Sequence, residues 1–446
     1  MPGEGGTRGP DEAWDDDGAE LAPPLPPRAR AGAFLRRLAI DVTPLRVSRD
    51  YRLLWTGQLI STVGRQVTLV ALPFQVFQLT RSSLAVGLIG LAEVVPLVLS
   101  SVGGGPLVDR FDRRRLLLVT EVALAVTTSL LLVGALMGDP PVGYLYGVAA
   151  LHAAISGLNW PTRSAVIPNV VSREQLPAAM ALNQVLFNSS TIVGPALAGL
   201  LIAQGLPWAY GTDLASFVGS ISAAALLRPL PPARAEGQGA RGGLGAVAEG
   251  FAYLRRQRLL VSTFVIDLVA MVFGMPRAVF PELAEEVFRV GAQGLGLLYS
   301  APAVGALLGA LTAGWVGRVR RQGVAVVAAV VVWGTGITAF GLSGDLFPLA
   351  LLFLALAGAA DVVSAVFRGT ILQLTVPDAL RGRISAVNMM VVAGGPRLGD
   401  VEAGAVASLV SPWFSVVSGG VACVVGALAV ARWFPELRRY RAPVGR

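Results

Sequence analysis

The stretch Gly105-Pro106-Leu107-Val108-Asp109-Arg110-Phe111-Asp112-Arg113-Arg114-Arg115 decides how this chain folds. Apolar runs flank it, from 84 to about 107 and from 116 to about 137. Each is long enough to cross a bilayer as a helix, which takes roughly 20 apolar residues. A connector this short makes the two helices antiparallel neighbours. Its arginines place that side in the cytoplasm, because short basic loops stay inside.

Composition agrees with a membrane protein. Hydrophobic residues make up 54% and mean hydropathy is +0.64, too apolar for a soluble chain of 446 residues. There is no lysine, so all 36 basic residues are arginine. That excludes a Walker-type phosphate loop and a lysine Schiff base. The net charge of +8 lies in loops and the C-terminal tail and reads as topology, so no nucleic-acid partner is expected. Cys423 is the only cysteine, which leaves no internal disulfide and no cysteine metal site. No metal and no cofactor are expected, the energy source being a proton gradient.

Twelve spans are read from hydropathy, near 53–79, 84–107, 116–137, 142–165, 175–203, 207–227, 259–281, 294–316, 323–342, 346–372, 383–410 and 412–434. The connectors alternate in charge. One set carries Arg110 to Arg115, Arg173, the 229–258 linker, Arg318 to Arg321 and Arg381 to Arg383; the other is nearly free of bases. Both termini are then cytoplasmic, and the lipid bilayer of the plasma membrane is the partner. The expected domains are a disordered tail (1–45), a first six-helix bundle (46–228), a linker (229–258), a second bundle (259–434) and a short tail (435–446). Within the linker, 244–254 suits an amphipathic helix on the membrane surface.

One constant shift of 205 positions relates the halves. It aligns Arg163 with Arg368, Asn183 with Asn388, Gly194 with Gly399, Gly199 with Gly404 and Gly104 with Gly309. This points to duplication and to two pseudo-symmetric six-helix bundles in an all-α membrane protein.

The Gly105-x-x-x-Asp109-Arg110-x-x-Arg113-Arg114 loop resembles the signature loop of the major facilitator superfamily. Asp112 stands where that family usually has glycine. Val193-Gly194-Pro195-Ala196-Leu197-Ala198-Gly199 resembles its antiporter motif. Phe280-Pro281-Glu282, Gly296-Leu297-Leu298-Tyr299-Ser300-Ala301-Pro302, Arg383-Ile384-Ser385-Ala386 and Gly399-Asp400 are similar to its enterobactin-exporter branch. The resemblance implies a proton-driven exporter of siderophores or drug-like amphipathic molecules. It implies that Asp109 occupies a helix N-terminus and pairs with arginine across the halves. It also implies that Arg163 and Arg368 latch an inner gate by pairing with carboxylates, Asp109 among them.

Ionisable residues inside spans are functional candidates, because isolated charge in hydrocarbon is costly. They are Arg65, Glu93, Asp213, Asp267, Asp361, Arg397, Asp400 and Glu402. Arg397 and Asp400 are three apart on a helix and are expected to pair. Asp400 or Asp267 is the expected proton-coupling carboxylate, with Arg65 its charge partner or an anion contact. His152 either titrates or packs through a hydrogen bond, and Trp333 joins an interfacial belt. The reading is a monomeric, twelve-helix secondary transporter exporting a small molecule by alternating access. A facilitative importer of polar solutes and a non-transporting receptor or scaffold stand as alternatives. No nucleophile or metal constellation points to an enzyme.

Overall fold

The computed structural model describes residues 41–230 and 244–442, without the side chains of 102, 105, 106, 108, 109, 244, 246, 247 and 379. Nearly all of the expected N-terminal tail, part of the linker and the end of the C-terminal tail therefore lie outside the described residues. So do the side chains of Gly105 and Asp109.

The regular elements among the described residues are all helices. The first half holds α1 (Arg49–Thr80), α2 (Ser83–Arg110), α3 (Arg113–Met137), α4 (Val142–Val170), α5 (Leu176–Gln204) and α6 (Leu206–Leu226). A short α7 (Leu244–Leu254) follows, at the bounds read from sequence. The second half holds α8 (Arg258–Phe273), α9 (Gly291–Leu311), α10 (Gln322–Gly341), α11 (Phe347–Thr375), α12 (Arg381–Leu409) and α13 (Pro412–Trp433). Nine segments among the described residues are long and apolar enough to cross a membrane. Helices α4, α6 and α12 are the other long ones. The buried faces of α4 and α6 carry polar groups, Asn159 and Arg163 in one and Asp213 and Ser216 in the other, and α12 carries Arg381, Arg383, Arg397, Asp400 and Glu402, all of which lower mean hydropathy.

The two ends of the bundle differ in how the chain turns. Arg81, Gly138, Gly205, Arg289, Gly291 and Gly344 are the residues with positive φ among those described, and all sit in connectors at the arginine-poor end. These connectors are tight, and glycine takes such φ values without a Cβ clash. The other end carries the basic connectors. Consecutive helices thus run antiparallel, as the charge pattern requires.

Glycines fix the close helix pairs, and they do so twice over. A methyl at Gly104 would meet Leu158 of α4 at 2.8 Å; its counterpart Gly309 faces Ala359 of α11 at 3.0 Å. Gly194 abuts Gln66 of α1, and Gly399 abuts Met271 and Val272 in the last turn of α8. Gly199 approaches Ala292 and Gln293 of α9, and Gly404 approaches Ser83 and Leu84 of α2. The 205-residue repeat is therefore a repeat of packing. Two of these sites, α5 on α9 and α12 on α2, join the halves, and both lie toward the arginine-poor end.

The seventh span is broken after Phe273, and Trp333 closes the break. Its indole N–H donates to the Gly274 carbonyl at 2.9 Å, and the side chain is 2% exposed. Trp333 is thus a core residue rather than part of an interfacial belt, because an interrupted helix in a bilayer needs its freed carbonyls satisfied by protein.

Candidate functional site

At the signature loop, Asp109 lies in the last turn of α2, not at a helix N-terminus. The N-cap of α3 is Asp112, whose carboxylate accepts from Arg115 N at 3.0 Å and from Leu230 N at 3.0 Å. This is the role acidic residues fill well at N-caps, and it explains the departure from glycine. Arg113 and Arg114 donate to the ends of α4 and α6, at Ala165 O (3.4 Å) and at Ala224 O (3.4 Å) and Ala225 O. Arg110 is exposed beside the Phe111 ring.

Deeper in the first half, Arg163 is 6% exposed and its carboxylate partner is Glu121, at 2.5 Å. Asn159 Oδ1 accepts from Arg163 at 2.9 Å, and its amide donates to Glu121 at 2.8 Å. Ser61 lies 3.2 Å from Arg163, and Ser220 donates to the other Glu121 oxygen at 2.5 Å. Both Glu121 oxygens accept hydrogen bonds, and Arg163 donates from two of its nitrogens, the support a buried pair requires. Only a void of about 10 Å³ remains beside it, roughly the space of one water. Arg65 donates to Thr62 at 2.9 Å, and its charged neighbours are Arg163, Glu121 and Asp213. It therefore belongs to this network rather than partnering Asp267 or Asp400. Asp213 is fully buried and accepts from Thr68 (2.5 Å) and Thr128 (3.3 Å). His152 shares a hydrogen bond with Thr127 at 2.8 Å.

In the second half, Arg368 pairs closely with Asp267 of α8 and lies 4.0 Å from Asp361 of its own helix. Asp361 is 31% exposed, against 6% for Asp267. Asp267 and Arg368 line a cavity of about 610 Å³ between α8, α11 and α12. Thr263, Gln373, Ser385 and Asn388 give it hydrogen-bonding groups, and Phe264, Leu372 and Val392 an apolar wall. Both arginines expected to latch the gate are thus paired inside their own halves. An ion pair contained in one half moves as a unit with it and fastens nothing to the other.

A third cluster lies where α2 crosses α12. Arg397 does not pair with Asp400. It reaches Glu93 of α2 at 3.2 Å, and Asp400 takes Arg277 at 3.2 Å. The reason is the crossing itself. Gly90 rests on the Arg397 backbone and Gly87 on that of Asp400, so a carboxylate one turn along α2 comes within reach, and the local spacing of three is overridden. Glu121 escaped the sequence reading, although an acid nine residues after Asp112, inside the apolar run from 116, was a visible signal.

The comparisons with known proteins fit this geometry. The family described as "Transmembrane secretion effector", a major facilitator family, matches residues 40–441. The chain belongs to this family. The enterobactin exporter EntS of Citrobacter koseri is 26% identical over 405 residues, 91% of this chain and 96% of that protein. EntS of Escherichia coli O1:K1 is 26% identical over 403 residues, 90% and 96%. Among solved structures, the nucleoside transporter NupG superposes with a TM-score of 0.69 at 13% identity, covering 88% of this chain and all of that one. A bacterial homologue of the iron transporter ferroportin, in an inward-facing state, gives 0.64 at 15%, covering 88% and 99%. These structures share the fold. The chain is a multi-pass membrane protein and an efflux transporter of the major facilitator superfamily.

Proposed function

We propose that the protein exports an amphipathic small molecule, of the siderophore or drug type, in exchange for protons. Alternating access of the two six-helix halves moves the substrate, with the arginine-rich face cytoplasmic. Glycine contacts that join the halves lie toward the arginine-poor end, which supports a conformation open toward the cytoplasm.

One observation carries the reading. Two carboxylates, Asp267 and Asp361, share the single guanidinium of Arg368; Asp267 and Arg368 line the large cavity, and Asp361, 31% exposed, lies about two turns before Arg368 on α11. With both acids ionised the set is net negative, and one proton neutralises it. An ionised Asp361 accepts hydrogen bonds from hydroxyl, amide or ammonium donors on a substrate. A proton on the same group removes its charge, turns one oxygen into a donor and leaves only a weaker acceptor. Competition for one carboxylate is the physical form of an exchange. The mixed lining of the cavity suits a molecule with polar and apolar faces, and the similarity to EntS supports enterobactin as the first compound to try. Asp400 is held by Arg277 and is the weaker candidate for coupling.

Inverted vesicles with an acid interior test this. Accumulation of enterobactin, or of an amphipathic dye, is expected to rise with the imposed gradient. In Asp267→Asn or Asp361→Asn vesicles that dependence is expected to vanish at normal expression. Wild-type gradient dependence in both variants overturns the reading.

A further inference from the structure

Among the described residues, one ion pair connects a helix of the first half to a helix of the second: Glu93 of α2 with Arg397 of α12, at 3.2 Å, with a second approach from Nε at 3.3 Å. The other ion pairs among the described residues close within a half, apart from Arg383–Glu249 between α12 and the linker helix α7. Glu93 lies ten residues from the arginine-poor start of α2, about 15 Å along the axis. Arg397 lies at a matching depth from the end of α12. The pair therefore sits below the glycine contacts of Gly87, Gly90 and Gly404, on the same seam. Beside it, Asp400 and Arg277 neutralise one another, so Arg397 has no carboxylate partner on its own half and Glu93 no guanidinium on its own. Each charge is satisfied only while the seam is shut.

We propose that Glu93 and Arg397 are positioning residues for the transport cycle, forming an electrostatic latch that holds the arginine-poor end closed. The glycines let α2 and α12 approach, but their contacts are short-ranged and unselective. The ion pair adds an interaction lost on opening, when each charge would face the cavity unpaired. It thereby sets the balance between the two open states. This is separate from the proton-exchanging carboxylates around Arg368, which do not touch the seam.

The test uses a reporter already in place. Ser82 and Ser408 face each other across the same seam with hydroxyl oxygens 3.5 Å apart, and Cys423, the one native cysteine, is fully buried. In the full-length Ser82→Cys/Ser408→Cys protein, mild oxidation forms a disulfide at a rate that follows the closed population. Glu93→Gln is expected to slow this by up to about tenfold, the limit set by losing a coupled charge pair of about 1.4 kcal/mol. Arg397→Gln should slow it similarly, and Glu93→Arg combined with Arg397→Glu should restore most of the rate. Gradient dependence of export should survive Glu93→Gln, which separates this proposal from the reading at Asp361. Cross-linking of Glu93→Gln at the parent rate overturns the latch, as does failure of the charge swap to recover any rate lost in a folded single variant. Should Arg397→Gln fail to fold, Glu93→Gln decides alone.

Discussion

Arg163 and Arg368 stand 205 positions apart, at matched places in two copies of one helical unit, yet their surroundings have diverged. Arg163 takes one carboxylate, from α3, and also donates to Asn159 and Ser61. Arg368 takes one carboxylate from α8, stands 4.0 Å from a second and borders a cavity of about 610 Å³. A charge whose partners are all internal serves architecture. A charge with a surplus acid and open space can change state. On the proposed function, the duplication kept the arginine and reassigned its task, with the first half a rigid partner for a working second half.

The largest expected effect that would sharpen this contrast is on stability. Arg163→Ala leaves Glu121 buried without its counter-ion and should cost about 3–5 kcal/mol. Thermal unfolding in detergent would register this as loss of the folded fraction. Asp361→Asn should change stability by no more than about 1 kcal/mol, since the acid is partly exposed and 4.0 Å from its partner. The same assay compares them, and a collapse of Asp361→Asn would break the distinction between an architectural and a working half.

Next comes packing at the seam. Gly199→Val and Gly404→Val introduce branched side chains against the backbones of α9 and α2. Each should destabilise by about 1–3 kcal/mol and loosen the arginine-poor end. Spin-label distances across that end should lengthen comparably in both. A shift in one alone would show that the two interfaces are not equivalent. The smallest effect is expected at the signature loop, where Asp112→Ala removes the N-cap of α3 at a cost of about 1 kcal/mol. Asp112→Asn should retain most of the lost stability, because an amide oxygen still accepts the bond from Arg115.

The repeat was legible in the sequence because glycine and arginine were retained at fixed register where backbones touch or where charge is buried. Span positions were legible for the same reason that membranes exclude charge. The partners of the charges were not. Arg397 and Asp400 have a spacing that favours a local pair, but the approach of α2 at Gly87 and Gly90 brings in Glu93 from more than three hundred residues away. Which carboxylate serves each arginine depends on helix crossings that local spacing does not encode. Asp112 shows the reverse case, a departure from the family pattern whose cause is wholly local, at a helix N-cap.

The central claim is that a substrate and a proton compete for the carboxylates around Arg368. Proton release on adding enterobactin, or the amphipathic dye that the vesicles accumulate, to purified protein in weakly buffered detergent tests it most directly. The account predicts release of about one proton per protein from the wild type and from Glu121→Gln, and none from Asp361→Asn at saturating ligand. Undiminished release from Asp361→Asn, together with its loss in Glu121→Gln, would contradict the account and move the coupling site to the first half.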